Sequence, residues 1–159
     1  MAVYFLDSSA IVKHYFQEQG HNWIQALHNP AQGHRLYISQ VALVEVVAST
    51  CRKAHEQNIP VEKRDMTIKN FRRDVQAIYR VRLVDDALYI MAGNLCRSHR
   101  LRSYDAVQLA CAITVRKEVL EVQPFGIEPS QFIFVSADHR LLDIALAEGL
   151  SVENPNSYS

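Results

Sequence analysis

The stretch VYFLDSSAIVKHYF, residues 3–16, changes character at Asp7, and that change decides the fold. Val3 to Leu6 is a short apolar run of β type; Asp7 follows at once, and a helical pattern begins that Ser8 or Ser9 can cap. The same grammar recurs three times. LYIS (36–39) leads into QVALVEVVASTCRKA (40–54), VRLV (81–84) into DDALYIMAGNLCRSH (85–99), and FIFV (132–135) into ADHRLLDIALAEG (137–149), which stops at Gly149. Two more helices are expected over 61–79 and 103–117, with a weak last strand near Ser151 and Val152. Breaks fall at NPAQG (29–33), EQNIP (56–60) and QPFGIEPS (123–130), each with the Pro or Gly of a loop. Short apolar strands alternating with helices predict an α/β fold with a mostly parallel, doubly wound sheet covered on both faces. In such sheets ligands sit beyond the carboxyl ends of the strands.

A chain of 159 residues suits one domain with a real core. Its 17 basic and 17 acidic residues cancel, so no overall field draws it to nucleic acid or an anionic membrane. Such a partner has to be held by a local patch or a metal. Cys51, Cys96 and Cys111 show no C-x-x-C spacing and lie in apolar, helical contexts, which predicts buried, reduced thiols in a cytoplasmic protein. Asp7 and Lys13 interrupt the first apolar stretch, so neither a signal peptide nor a membrane span is expected.

Four acids stand out against this frame. Asp7 and Asp138 fall at the carboxyl ends of predicted strands. Glu45 lies inside VALVEVVA, and its helical neighbours Val41, Ala42, Ala48 and Ser49 include no base. Asp105, in LRSYDAVQLACA (101–112), opens a helix with no clearly polar face, two residues after Ser103, a candidate N-cap. Singly, each has a modest explanation: the helix dipole favours an acid in a first turn by about 0.3–1 kcal/mol, and Asp caps helices well. Glu45 resists such an explanation, because a buried carboxylate without a partner costs several kcal/mol. If the four converge, only a cation relieves their repulsion. A hard divalent ion, Mg²⁺ or Mn²⁺, takes oxygen ligands and is commonly bridged to phosphates. One or two such ions suit phosphodiester hydrolysis.

Those residues have a family likeness. YFLDSSAIVKHY, ISQVALVEVVAS, LRSYDAVQLACA and FVSADHRLLDIALAEGLSVENP resemble, in order, the acidic motifs of PIN-domain ribonucleases, most closely the VapC-type toxins of type II toxin–antitoxin pairs. The likeness spans nearly the whole chain. It implies a three-layer α/β/α sandwich, a single nuclease domain over 1–155 with a short tail over 156–159, and endoribonuclease activity dependent on Mg²⁺ or Mn²⁺. It implies Asp7, Glu45, Asp105 and Asp138 as catalytic metal ligands, with Ser8 and Ser136 in support, Ser136 replacing a commoner Thr. It implies an RNA substrate, a cognate antitoxin and a homodimer. One departure is EVLEVQPFGIEPSQ (118–131), a long path able to reshape a substrate groove.

The remaining candidates divide. Asp143 lies about 140° around its helix from Asp138 and reads as solvated. Asp85 and Asp86 read as a helix start. The seven histidines show no zinc spacing, which leaves a metal-free, His-based ribonuclease as a weak alternative. Lys63, Arg64, Lys69, Arg72 and Arg73 read as a solvated helix face, whereas Arg97, Arg100 and Arg102, just before Asp105, are candidate RNA-binding residues. Ile24, Ala26 and Leu27 suit either core packing or a partner groove. A phosphoacceptor receiver needs an acid pair and a late Lys that are absent, a D-x-D phosphohydrolase is contradicted by Ser9, and a PIN-like binding module without catalysis stays open.

Overall fold

In a computed structural model the described residues are 1–121 and 126–159. Five strands, β1 (Val3–Leu6), β2 (Arg35–Ser39), β3 (Arg80–Arg82), β4 (Phe132–Val135) and β5 (Ser151–Glu153), form one sheet in the order β3-β2-β1-β4-β5. Every pairing is parallel. β1 lies between β2 and β4, with Leu6 opposite both Ile38 and Val135. The chain winds outward from β1 in both directions, so the topological switch point lies between β1 and β4.

Alternation along the central strands sends side chains to two cores. Val3 and Phe5, with Phe132 and Phe134, pack against α5 (Asp86–Ser98), α6 (Ser103–Glu121) and α7 (His139–Ala147). Leu6, Leu36, Ile38 and Val135 pack against α1 (Ser8–Tyr15), α2 (His21–Leu27), α3 (Ala42–Glu56) and α4 (Val61–Ala77). Near-continuous apolar strands are what a sheet buried on both faces requires. The α/β/α sandwich expected from the sequence is the observed architecture, and α6 is its most buried helix, with every residue from Ala106 to Ala112 inside.

Several local expectations change. β3 is Arg80–Arg82 rather than 81–84: it pairs with Tyr37–Ser39 at the sheet edge, after which Val84 N–H turns to the Gln40 side chain and Leu83 stands in solvent. Asp7, not Ser8 or Ser9, caps α1. α6 begins at Ser103 itself, with Ala106 N–H bonded to the Arg102 carbonyl, so Ser103 is not a flanking cap. Of the three free cysteines only Cys111 is buried. Cys51 and Cys96 each follow the buried stripe of their helix by one residue (Val46, Thr50 and Ala54 in α3; Leu88, Ala92 and Leu95 in α5), which turns them to solvent. Ile24 and Leu27 belong to the core, while Ala26 is exposed. Asp85 caps α5 through Leu88 N–H, and Asp143 is solvated.

The long connection 118–131 includes residues 122–125, outside the described set. Pro155–Ser157 form a 3₁₀ turn, and Tyr158 stacks on Trp23 with ring centroids 4.7 Å apart. No helix among the described residues is long and apolar enough to cross a membrane.

Candidate active site

The carboxyl edge of the sheet brings the four acids together. Asp7 follows β1, and its N–H donates to the Val135 carbonyl at 3.0 Å, which fixes it at the switch point. Asp138 follows β4 and caps α7, accepting from the N–H groups of Arg140 at 2.9 Å and Leu141 at 3.3 Å. Glu45 and Asp105 occupy the first turns of α3 and α6. All four line one cavity of about 460 Å³, with Ser8, Ser9, Gln108, Arg52, Arg102 and Tyr104 among its other walls.

Asp7 is 5% exposed and held from three sides. Ser9 Oγ donates to its Oδ1 at 2.6 Å, Ala10 N–H to the same oxygen at 3.0 Å, and Ser136 Oγ to its Oδ2 at 2.7 Å. Ser136 Oγ also accepts from Asp138 N–H at 3.0 Å, and Ser9 Oγ from Ala137 N–H at 2.9 Å, so two hydroxyls tie the ends of β1 and β4 together. Burial pushes the Asp7 carboxyl up to about 6; the three hydrogen bonds oppose this, and the charge on Asp105 adds to it. Glu45 Oε1 accepts from Ser8 Oγ at 3.0 Å and from Gln108 Nε2 at 2.8 Å, and Gln108 also donates to Ser8 at 2.8 Å. Burial raises its pKa as well, with Asp105 again adding. Asp105 is raised by burial and then by Asp138, against the opposing charges of Arg102 and Arg140.

Among the described residues no ion pair reaches any of these four carboxylates. Three of them are therefore desolvated and mutually repelling, which is the condition a bound cation relieves. Gln108 adds to that condition: it is 1% exposed, and its Oε1 has no hydrogen-bond partner among the described residues. The donor set is oxygen throughout, with no His or Cys on the cavity wall, and fits a hard divalent ion in its chemistry. Among the described residues no three His, Cys, Asp or Glu side chains yet stand close enough to enclose an ion. The carboxylates surround a space rather than a point.

Two supporting residues went unread in the sequence. Gln108 is the one polar side chain between Ala106 and Ala112, three residues after Asp105, and that spacing is a signal for it. Ser9 carried only its capping signal. Arg102 lines the main cavity, and Arg100 lines the adjoining one with Asp105, Asp138 and Arg140. Arg97 is exposed on the last turn of α5, outside both linings.

The model of the PIN domain family matches residues 4–145. The chain is a PIN domain. No curated protein sequence matches it significantly. Among solved structures, this PIN domain is similar to VapBC2 from Rickettsia felis, bound to a DNA fragment from their promoter, with 13% identity, a TM-score of 0.62, and 96% of this chain and 98% of that chain covered. It is similar to FitAcB from Neisseria gonorrhoeae at 14% identity and a TM-score of 0.61, over 96% and 97% of the two chains. PAE2754 from Pyrobaculum aerophilum gives 16% identity and a TM-score of 0.54, over 98% and 91%. At such identities the likeness is one of fold.

Proposed function

We propose that this PIN domain is a Mg²⁺- or Mn²⁺-dependent endoribonuclease and the toxin of a toxin–antitoxin pair. The observation that carries the reading is the convergence of four carboxylates, none of them ion-paired among the described residues, on one cavity at the switch point of a parallel sheet. Asp7, Glu45, Asp105 and Asp138 would hold the ion or ions. A divalent cation there supplies Lewis-acid polarisation of a phosphodiester and a lowered pKa for bound water.

The chain's own residues divide the remaining work. Ser9 and Ser136 lock both oxygens of Asp7, so its carboxylate keeps one orientation without a protein cation. Gln108 and Ser8 do the same for Glu45 through Oε1, and among the described residues Oε2 accepts no hydrogen bond. Asp105 makes no hydrogen bond among the described residues, so it can swing toward an ion or orient a water. Arg102 and Arg100 stand where a substrate phosphate needs positive charge.

The similarity to VapBC2 and FitAcB supports an antitoxin as protein partner. Homodimerisation is supported by exposed apolar residues, Leu43 and Val44 on α3 and Tyr89 and Ile90 on α5. A cytoplasmic location suits two exposed free thiols.

The test is cleavage of a structured RNA pool by purified protein with Mn²⁺ or Mg²⁺, with EDTA, and by folded Asp7→Asn and Asp105→Asn variants. Cleavage is expected only in the metal-loaded wild type. Undiminished cleavage in EDTA rules the mechanism out; Mn²⁺ binding without any cleavage favours a binding module.

A further inference from the structure

The cavity at the carboxylates does not end there. It shares Arg102, Asp105 and Asp138 with a space of about 310 Å³ that is also lined by Arg100 and Arg140. On its other side it shares Ser9, Ser49 and Arg52 with a space of about 290 Å³ between α1 and α3. The three spaces adjoin through these shared walls, with Arg52 on the side of α1 and α3 and Arg100 and Arg140 on the side of α6 and α7.

Those arginines are free in a way the other bases nearby are not. Lys13 and Lys53, which border the α1–α3 space, are both paired with Glu18. Arg52 makes only a hydrogen bond to Ser49, and Arg52, Arg100, Arg102 and Arg140 form no ion pair among the described residues. Arg102 and Arg140 offset part of the charge on Asp105 from a distance, but none of the four guanidinium groups contacts a carboxylate among the described residues, so their donors stay available to a ligand. Tyr104 is the matching apolar anomaly. It lines the central cavity, is 51% exposed, and has neither a ring partner nor a hydrogen bond for its hydroxyl among the described residues. Free guanidinium groups along a groove and an unpartnered aromatic face are the two elements by which proteins hold an extended nucleic-acid strand.

We infer that Arg52 and Arg140 anchor phosphates on opposite sides of the carboxylates and that Tyr104 is the platform for a nucleobase between them. One RNA strand then crosses the adjoining spaces from the α1–α3 side to the α6–α7 side. The inference rests on the RNA-cleaving reading above and adds to it a positioning residue, since a base stacked on Tyr104 fixes the register of the strand beside the carboxylates.

The experiment reads binding rather than cleavage: anisotropy of a fluorescein-labelled oligoribonucleotide against the full chain, in Ca²⁺ and in EDTA, as a function of salt. Arg52→Ala and Arg140→Ala are each expected to lower affinity and to reduce the salt slope by about 0.7. Tyr104→Ala is expected to weaken binding about tenfold with the slope unchanged, and Tyr104→Phe to restore it, because the ring is retained. In an abasic scan of the oligonucleotide, one position is expected to weaken wild-type binding and to abolish the effect of Tyr104→Ala. Arg72→Ala, on the remote face of α4, is the control and is expected to bind as wild type does.

Unchanged salt slopes for both Arg52→Ala and Arg140→Ala, or equal losses in Tyr104→Phe and Tyr104→Ala, overturn the inference and leave the nuclease reading standing. Arg72→Ala matching Arg52→Ala overturns it too, in favour of a diffuse field. The expected binding pattern without cleavage sinks the nuclease reading alone. Wild-type protein that binds no RNA in either condition removes both.

Discussion

Two buried aspartates, Asp7 in the cavity and Asp74 on the inner face of α4, are almost equally hidden, at 5% and 4% exposure, yet the protein treats them in opposite ways. Asp74 is answered by charge: Arg73 donates to its Oδ1 from both Nε and Nη2, at 3.2 and 3.0 Å, and Tyr15 donates to its Oδ2 at 2.8 Å. Around it lies an aromatic cluster in which His28 bonds the Tyr79 hydroxyl at 2.7 Å and stacks on His14 at 3.9 Å. Asp7 is answered only by two hydroxyls and an amide, with no cation. A carboxylate whose charge the fold balances is scaffold. One whose orientation is fixed while its charge is left unbalanced is prepared for something that arrives from outside.

The largest effect that can break this distinction is on activity. Asp7→Asn keeps the size of the side chain but removes the charge and turns one acceptor oxygen into a donor, and is expected to cost about a thousandfold in RNA cleavage, the equivalent of several kcal/mol of lost cation assistance. Asp74→Asn is expected to stay within a few-fold of wild type. Equal losses measured in the same assay end the comparison.

The second effect is on stability against pH, where the two regions pull in opposite directions. The Asp7 carboxyl sits at about 6, above its ordinary 3.8, so between those values the folded chain holds a proton that the unfolded chain has released. Its contribution to stability is full below about pH 4 and is lost as pH rises through 6, about 3 kcal/mol in all. His14 is pushed down to about 4 by burial, then by His28, against the pull of Asp74, and its ring Nδ1 has no hydrogen-bond partner among the described residues. It resists the proton that the unfolded chain accepts below 6.5. Its contribution is full above 6.5 and is lost as pH falls through 4, by a similar amount. The slope of stability against pH from 4 to 6, by urea denaturation of metal-free protein, is expected to change in opposite senses relative to wild type. Asp7→Asn should shift it toward stability rising with pH, and His14→Gln toward stability falling with it. Parallel profiles in the two variants refute the assignment.

The distinction was half legible in the sequence. Asp7 follows a four-residue apolar strand at the edge where α/β sheets bind ligands, and Glu45 lacks any base at helical spacing, so both announce themselves as acids with something to explain. Asp74 does not: in NFRRDVQ the neighbouring arginines make it look solvated, and only the turn of α4 toward α1 buries it. Strand grammar carried the sheet for the same reason, because apolar runs ending in helix starts are local signals. What failed was long range. Ser9 meets Ala137 across 128 residues and Gln108 meets Ser8 across 100, contacts set by the register of β1 against β4 and the placement of α6. The cysteines failed by one residue of helical phase, which composition does not record.

The third effect separates charge balance from orientation within the scaffold region. Asp74→Ala leaves the buried Tyr15 hydroxyl without its acceptor, while Arg73, 69% exposed, keeps water; the expected cost is about 2 kcal/mol in urea denaturation, with Mn²⁺ affinity unchanged.

The smallest effect concerns the hydroxyls, and it asks most directly what orientation is worth. Ser136→Ala removes the donor to Asp7 Oδ2 and the acceptor for Asp138 N–H in one step, so two of the four carboxylates lose part of their alignment while every charge stays in place. Outer partners of this kind are worth about tenfold or more in metal affinity. Calorimetric titration with Mn²⁺ is expected to show a loss of about that size. Tyr15→Phe is the matched change at Asp74, again one hydroxyl lost from a buried carboxylate. There the loss should fall on stability, about 1 kcal/mol, and leave the titration untouched. If Tyr15→Phe weakens Mn²⁺ as much as Ser136→Ala does, the two aspartates belong to one coupled network and the division between scaffold and site fails. If only Ser136→Ala does so, the serines at the ends of β1 and β4 hold a carboxylate in place for a charge that the protein itself does not supply.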